Sequence, residues 1–374
     1  MRDKTFISGR YPWFCLHLAY VILSGWQNIM KIDSNALRQD RPDLWDRFTR
    51  REEYEVSIRD MHGRFPYWAS RDRDIFRPSV SGFLYEQGLV KPEYPDGCEF
   101  ALCVTHDIDA VYSAPDRKIL NGLRSARRGD LKGFARETCS VLDRKSPLYN
   151  FMDILSLEEK YGVKSTWFFQ ALEPGEPEFR YRLSDVEGVF GDILDAGCEI
   201  GLHGGFDAPF NLDRLLIEKS RLEKVLGEKA GGYRNHYLKL QVPLTWELLA
   251  QAGFIYDSTL GYNDCAGFRS GMCHPYRPVN LNTGKEIDII ELPLHVMDMT
   301  LFESYMRLDF NGAWKVVQGM IDLVRECRGV FVVNWHNTGY VDGRIELKMI
   351  EKVMEYCRAN GACMNSMEQL IRQV

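Results

Sequence analysis

Among the ten cysteines of this 374-residue chain there is no Cys-x-x-Cys pair. That absence argues against a zinc ribbon, and the scatter of the thiols argues against a disulfide scaffold. Several of the ten (Cys15, Cys98, Cys103, Cys139, Cys198, Cys265, Cys273, Cys327, Cys357 and Cys363) fall in apolar stretches. A reduced thiol there behaves as a small hydrophobe, and a reducing cytoplasm is the expected compartment. A basic excess is missing too: 47 Lys and Arg face 53 Asp and Glu, a formal charge of -6 and a pI near 5.8. A nucleic-acid partner is not expected on that balance. Nor does any apolar run reach the roughly 20 residues a membrane span needs. The nearest, "WFCLHLAYVILSGW" at 13–26, is interrupted by His17. Although Arg2, Lys4 and Arg10 precede it, no small-x-small cleavage site follows cleanly, so it reads as a buried helix. Internal repeats and low-complexity tracts are absent as well. What is present is 45% hydrophobic and 27% charged, ordinary globular composition for one large domain or a domain with an appendage.

The texture changes near residue 97. Residues 31–96 are rich in Arg, Asp and Pro, show no sustained period and close on "VKPEYPDG", a punctuation that predicts a boundary. Residues 1–97 are read as an N-terminal accessory region whose role is not legible, and residues 98–374 as the main domain. There, seven apolar strand candidates (99–105, 163–169, 198–202, 230–234, 254–258, 287–294 and 330–335) alternate with helical stretches such as 213–226, stopped by Gly227. Alternation of this kind predicts a parallel sheet, and seven units suit an α/β barrel, closed or nearly so. Sites in such barrels gather at the C-terminal ends of the strands.

The titratable residues follow that rule. "CVTHDID" ends the first strand by placing His106, Asp107 and Asp109 within four positions, a crowding of charge that calls for a shared metal or proton. Asp107 and Asp109 share one face of an extended strand while Ile108 points to the other. Two carboxylates on one face suit a metal ligand beside a proton acceptor. His106 alternates away and is read as a packing or supporting residue. In "EIGLHGGFDA", His203 and Asp207 stand four apart on a loop that Gly204 and Gly205 allow to bend tightly. With Asp109 they form a zinc-ligand set that leaves one position open. His336 closes the seventh strand, and His236 lies two residues past the fourth.

As an ordered set on these strands, "THDID", "HGGFD", "GYRNHY" and "VNWHN" resemble the motifs of the polysaccharide deacetylase (NodB-homology, carbohydrate esterase family four) superfamily. A divergent branch whose first motif reads His-Asp-x-Asp is the particular likeness, over residues 98 to about 340. The resemblance implies a distorted (β/α)7 barrel and metal-dependent removal of an acetyl group from an N- or O-acetylated sugar or sugar-containing precursor. It implies Asp107 as general base, Asp109 and His203 as metal ligands, His336 as the acid for the leaving amine, and Arg234 as the group that orients the base. Two departures stand out: Asp207 occupies the place of the usual second-motif histidine, and the adjacent Asp pair has become Asp-x-Asp. The divalent metal expected is zinc, and the partner an acetylated carbohydrate or related small molecule. The polar, aromatic segment 257–278 is expected to supply a sugar-binding rim through Tyr262, Arg269, His274 and Arg277, with Phe268 and Tyr276 beside them. Glu291 and His295 lie near a strand end, with position alone to recommend them. Two other functions fit the same residues: hydrolysis of a small non-sugar amide, and a silent, carbohydrate-binding relic of such an enzyme.

Overall fold

A long apolar run suits a strand covered on both faces, and every residue of Phe100–Ile108 is buried. In the computed structural model, which describes residues 34–112, 127, 148–303, 305–340 and 343–373, this run is β1. It is followed by β2 (Thr166–Phe169), β3 (Glu199–Gly204), β4 (Gly232–Asn235), β5 (Tyr256–Asp257), β6 (Val279–Asn280), β7 (Lys285–Glu286), β8 (Ile290–Glu291), β9 (Val296–Met297), β10 (Val330–Asn334) and β11 (Ala362–Cys363). The main sheet runs β8-β5-β4-β3-β2-β1-β10-β9, and β11 adds to β1. Every pairing in it is parallel.

The two edge strands belong to one stretch of chain. Ile290–Met297 pairs with β5 through its first half and with β10 through its second. Between them Leu292 N donates to Asp257 O at 2.9 Å and His295 N to Val332 O at 3.1 Å. Chain continuity thereby closes a curled ring of seven staves, the distorted (β/α)7 barrel that the resemblance implies. β6 and β7 form a separate antiparallel hairpin.

Alternation along the staves separates two layers. Trp167 and Phe169 of β2 face outward onto Phe151 and Phe190, which start the helices Phe151–Tyr161 and Phe190–Asp195. Inward residues Ala101, Cys103, Phe168 and Leu292 form a smaller core with Met367, Leu370 and Ile371 of the C-terminal helix Met367–Gln373. Apolar side chains fill that part of the barrel interior, and the polar residues collect at the C-terminal ends of the staves.

Residues 34–97 pack on the barrel through Leu44, Trp45, Phe48, Val80 and Leu84, which join the main core with Phe268, Met272 and Tyr276. A buried ion cluster pins them. Glu53 receives Arg269 Nε at 2.9 Å and Nη2 at 2.6 Å, and Arg50 Nε at 2.8 Å. Removing that carboxylate takes from the buried Arg269 its ion partner among the described residues, while Arg50 keeps Glu52. Glu53→Gln is therefore expected to cost about 3–5 kcal/mol, read as a lower denaturant midpoint with an unchanged slope. A shift within the error of the extrapolation would show that the cluster is solvated.

The cysteines depart from expectation at one pair. β11 pairs with the start of β1, Ala101 opposite Cys363, and this brings Cys98 and Cys363 into a disulfide with Cα atoms 5.6 Å apart. The two are 265 residues apart in sequence, so no local spacing announced the bond. Six further described cysteines are free and buried. The apolar stretch 13–26 lies outside the described residues.

Candidate active site

Parallel staves carry their last side chains to one end of the barrel, and there four of the motifs meet. Asp107, still within β1, points inward and is held at both oxygens. Arg234 Nη1 donates to its Oδ1 at 3.1 Å and Asn334 Nδ2 to its Oδ2 at 2.8 Å. Arg234 is itself fixed by Ser258, whose carbonyl accepts from Nε at 2.9 Å and whose hydroxyl accepts from Nη2 at 2.8 Å. The motif residue Arg234 is thus brought onto Asp107 by Ser258, the residue that follows β5.

Asp109, His203 and His236 form a tight triangle. His203 Nε2 lies 3.1 Å from Asp109 Oδ1 and 3.3 Å from His236 Nδ1, and His236 Nδ1 lies 3.2 Å from the same Asp109 oxygen. Among the described residues these three bring one ligand atom each close enough together that they could hold a metal ion. His203 Nδ1 donates to Arg234 O at 3.1 Å, an outer partner that fixes the ring and turns Nε2 toward the others. Bonds of about 2.0–2.1 Å in a tetrahedral zinc site place the ligand atoms about 3.3 Å apart. The observed edges fit that figure, and one carboxylate with two imidazoles is a donor set zinc accepts.

The third member differs from expectation. Asp207 is exposed and stays out of the triangle; its charge acts on Lys239. His236 takes the place, carried inward by β4. The glycines after His203 have a different use from a tight bend: a Cβ on Gly204 would collide with the Tyr233 ring, and one on Gly205 would stand 2.8 Å from Leu172 Cδ2.

Across the triangle, His336 Nε2 is 3.6 Å from Asp109 Oδ2. Its Nδ1 donates to Asp298 Oδ1 at 2.7 Å, and its backbone N donates to Asp298 Oδ2 at 2.9 Å. Burial disfavours a charged ring, but Asp298 foremost, with Asp109 and Asp107, outweighs it and pushes the pKa of His336 up to about 10. Asp109 shows the converse: burial would raise it, yet His236, His203 and His336 hold it well below the ordinary carboxylate range. His203 is likewise raised, because Asp107 and Asp109 overcome the cost of burial.

Several expected site residues serve elsewhere. His106 points out of the barrel, Nε2 at 2.8 Å from Glu158 Oε1 and Nδ1 donating to Trp335 O at 2.8 Å. Of the proposed rim, Tyr262, Arg269 and His274 are buried structure. Arg269 is bound to Glu53, and Tyr262 Oη accepts from Arg50 Nη2 at 3.2 Å. His274 Nε2 donates to Cys327 O at 3.0 Å, and burial pushes its pKa down to about 4. Arg277 pairs with the exposed Asp288. His295 is locked between Val332 N and Met272 O, with burial pushing it to about 3. Glu291 accepts from Trp246 Nε1 at 2.8 Å, and burial together with the facing Asp257 keeps it well above the usual carboxylate range. The segment 257–278 is aromatic and basic because it holds residues 34–97 on the barrel.

Sequence reasoning missed Asp298 and Asn334. Asp298 follows β9, so the rule of strand ends could have found it, but β9 is only two residues long. The accessory region also reaches the site loop. The His62 ring stacks on Tyr237 with centroids 4.7 Å apart, and Arg64 Nη1 donates to Tyr237 O at 2.9 Å. Tyr237 directly follows the triangle residue His236.

No protein-family model matches the chain, and no curated protein matches it in sequence. Solved structures do match. A Mycobacterium smegmatis protein assigned as a polysaccharide deacetylase superposes with a TM-score of 0.50 at 22% identity, over 76% of this chain and 92% of the other. A Pseudomonas aeruginosa PAO1 protein with the same assignment gives 0.51 at 15% identity, over 78% and 96%. PuuE allantoinase gives 0.50 at 16%, over 76% and 93%. These likenesses show the fold, a distorted (β/α) barrel that this chain shares with the three solved structures.

Proposed function

We propose that this protein is a metal-dependent deacetylase acting on an acetylated carbohydrate. The observation that carries the reading is one arrangement: the Asp109–His203–His236 triangle, flanked by Asp107 on Arg234 and by His336 on Asp298. Asp109, His203 and His236 would hold a divalent ion, zinc by its donor set. When bound, that ion supplies Lewis-acid polarisation of the acyl carbonyl.

The chain's own residues supply the proton transfers. Asp107, held in place by the Arg234 guanidinium and the Asn334 amide, accepts a proton as water adds to the acyl carbon. His336, kept protonated by Asp298, gives its Nε2 proton to the leaving nitrogen or oxygen as the bond to the acyl carbon breaks. Water is consumed, and acetate and the freed amine or alcohol result. A base and an acid on opposite sides of one reacting centre is what acyl hydrolysis of a poor leaving group needs.

The test is release of acetate from a panel of N- and O-acetylated sugars and nucleotide sugars, before and after dialysis against a chelator. Acetate release that disappears on chelation and returns with Zn²⁺ is the expected result. Release that persists without metal would remove the ion from the reaction, and a wild type inert across the panel at full metal occupancy would sink the deacetylase reading.

A further inference from the structure

One polar side chain of the barrel interior is left over from this chemistry. Gln170 follows the last residue of β2, is 1% exposed, and among the described residues has no hydrogen-bond partner at either Oε1 or Nε2. A buried carboxamide with both ends unpaired is costly, and native proteins seldom keep one without a use.

Its position shows the use. Along β2 the outward residues are Trp167 and Phe169, packed on Phe151 and Phe190, while Phe168 faces inward with its ring 4.7 Å from the Arg234 guanidinium. Alternation turns Gln170 inward after Phe168. Phe169 is in register with Ile108 on one side and Leu202 on the other. The next position therefore sets Gln170 between Asp109 and His203, two corners of the metal triangle. The backbone is clamped there, since Gln170 N donates to Tyr181 Oη at 2.8 Å and that hydroxyl donates to Ile108 O at 2.8 Å. Asp109 is 27% exposed at its side chain, and the register places Gln170 beside it on the next stave.

We infer that Gln170 is the residue that makes this site select an acylamino group over an acyl ester, its Oε1 accepting the substrate N–H beside the reacting carbonyl. The inference rests on the deacetylase reading and narrows it to N-acylated sugars. The other inward groups near the triangle are committed: Asp107 to Arg234 and Asn334, Asp109 to the histidines, and His336 to Asp298. Gln170 is neutral and offers an acceptor that no donor among the described residues fills. An amide substrate satisfies it, whereas an ester brings no N–H and leaves Oε1 buried and unpaired. A site built around a substrate N–H discriminates against the analogue lacking it for this reason.

The experiment compares wild type with Gln170→Met on a sugar carrying an N-acetyl group and on its O-acetyl counterpart, together with melting temperature and metal content. Methionine keeps the length of the side chain and removes both polar ends. The expected result is a loss of roughly ten- to hundredfold in kcat/KM on the amide, little change on the ester, full metal content, and a melting temperature equal to or above that of wild type. An unpaired amide replaced by an apolar chain does not destabilise a fold, whereas an amide satisfied by a buried water does. A lower melting temperature with unchanged selectivity would make Gln170 a structural residue and overturn the assignment. Equal losses on both substrates would overturn it as well. A wild type that hydrolyses neither substrate would instead bring down the deacetylase reading, and this assignment with it.

Discussion

His236→Ala should leave the protein folded and unable to retain a stoichiometric divalent ion, while Asp207→Ala should retain it fully. The two residues compete for one role. Asp207 sits four positions after His203, where the resembled motif carries a histidine, and His236 sits on a different stave. Distance separates them: His236 Nδ1 is within 3.3 Å of both Asp109 and His203, whereas Asp207 is exposed and outside the cluster. Loss of a mere supporting partner costs roughly 10–100-fold in metal affinity, so loss of one of three protein donors should cost more. Metal analysis after dialysis reads the difference directly. If Asp207→Ala loses the ion and His236→Ala keeps it, the triangle is not the metal site. His203→Ala should behave as His236→Ala does, since both imidazoles present a nitrogen to the same Asp109 oxygen.

Why that competition could not be settled from sequence is a matter of topology. Spacing along a chain reports neighbours within one element, and it reported Asp107 and Asp109 correctly as residues of one face. It also gave the seven staves, because strands covered on both faces leave apolar runs that helices interrupt. A site assembled across staves depends on register, and register is invisible in the string. Leu202 opposite Tyr233 and His203 opposite Arg234 determine that the residue two beyond Arg234 reaches the triangle. Nothing local to "GYRNHY" says so. The segment 257–278 misled for a related reason: arginines and aromatics on a surface rim and in a buried docking seam have the same composition. Only the partner distinguishes them, and here Glu53 and Arg50 lie more than 200 residues away in sequence. Cys98 and Cys363 are the same case, joined because β11 runs beside β1.

Asp298 was unread because the strand that presents it is short, yet it governs the group on which amide cleavage depends. Replacing His336 by Asn should lower kcat on an amide substrate by about 10²–10⁴, the range a positioned acid supplies. The loss on an activated aryl ester should be much smaller, because a good leaving group departs without a proton. The companion variant reads the charge. In the folded chain His336 is raised from its ordinary value near 6.5 to about 10, against burial and chiefly through Asp298. The ring is therefore protonated up to about pH 10, and the stability that its pairing contributes is complete below pH 6.5 and lost as pH rises through about 10. Asp298 is not one of the three clustered donors, so its hold on His336 persists when Asp109 is engaged by an ion. Asp298→Asn should leave metal content intact and move the alkaline limb of kcat/KM to lower pH, since the neutral amide no longer stabilises the imidazolium. Equal losses on amide and ester in His336→Asn would remove His336 from the proton-donor role. An alkaline limb that stays in place in Asp298→Asn would assign that limb to another group, and Asp298 would then be a support for the backbone of His336 alone.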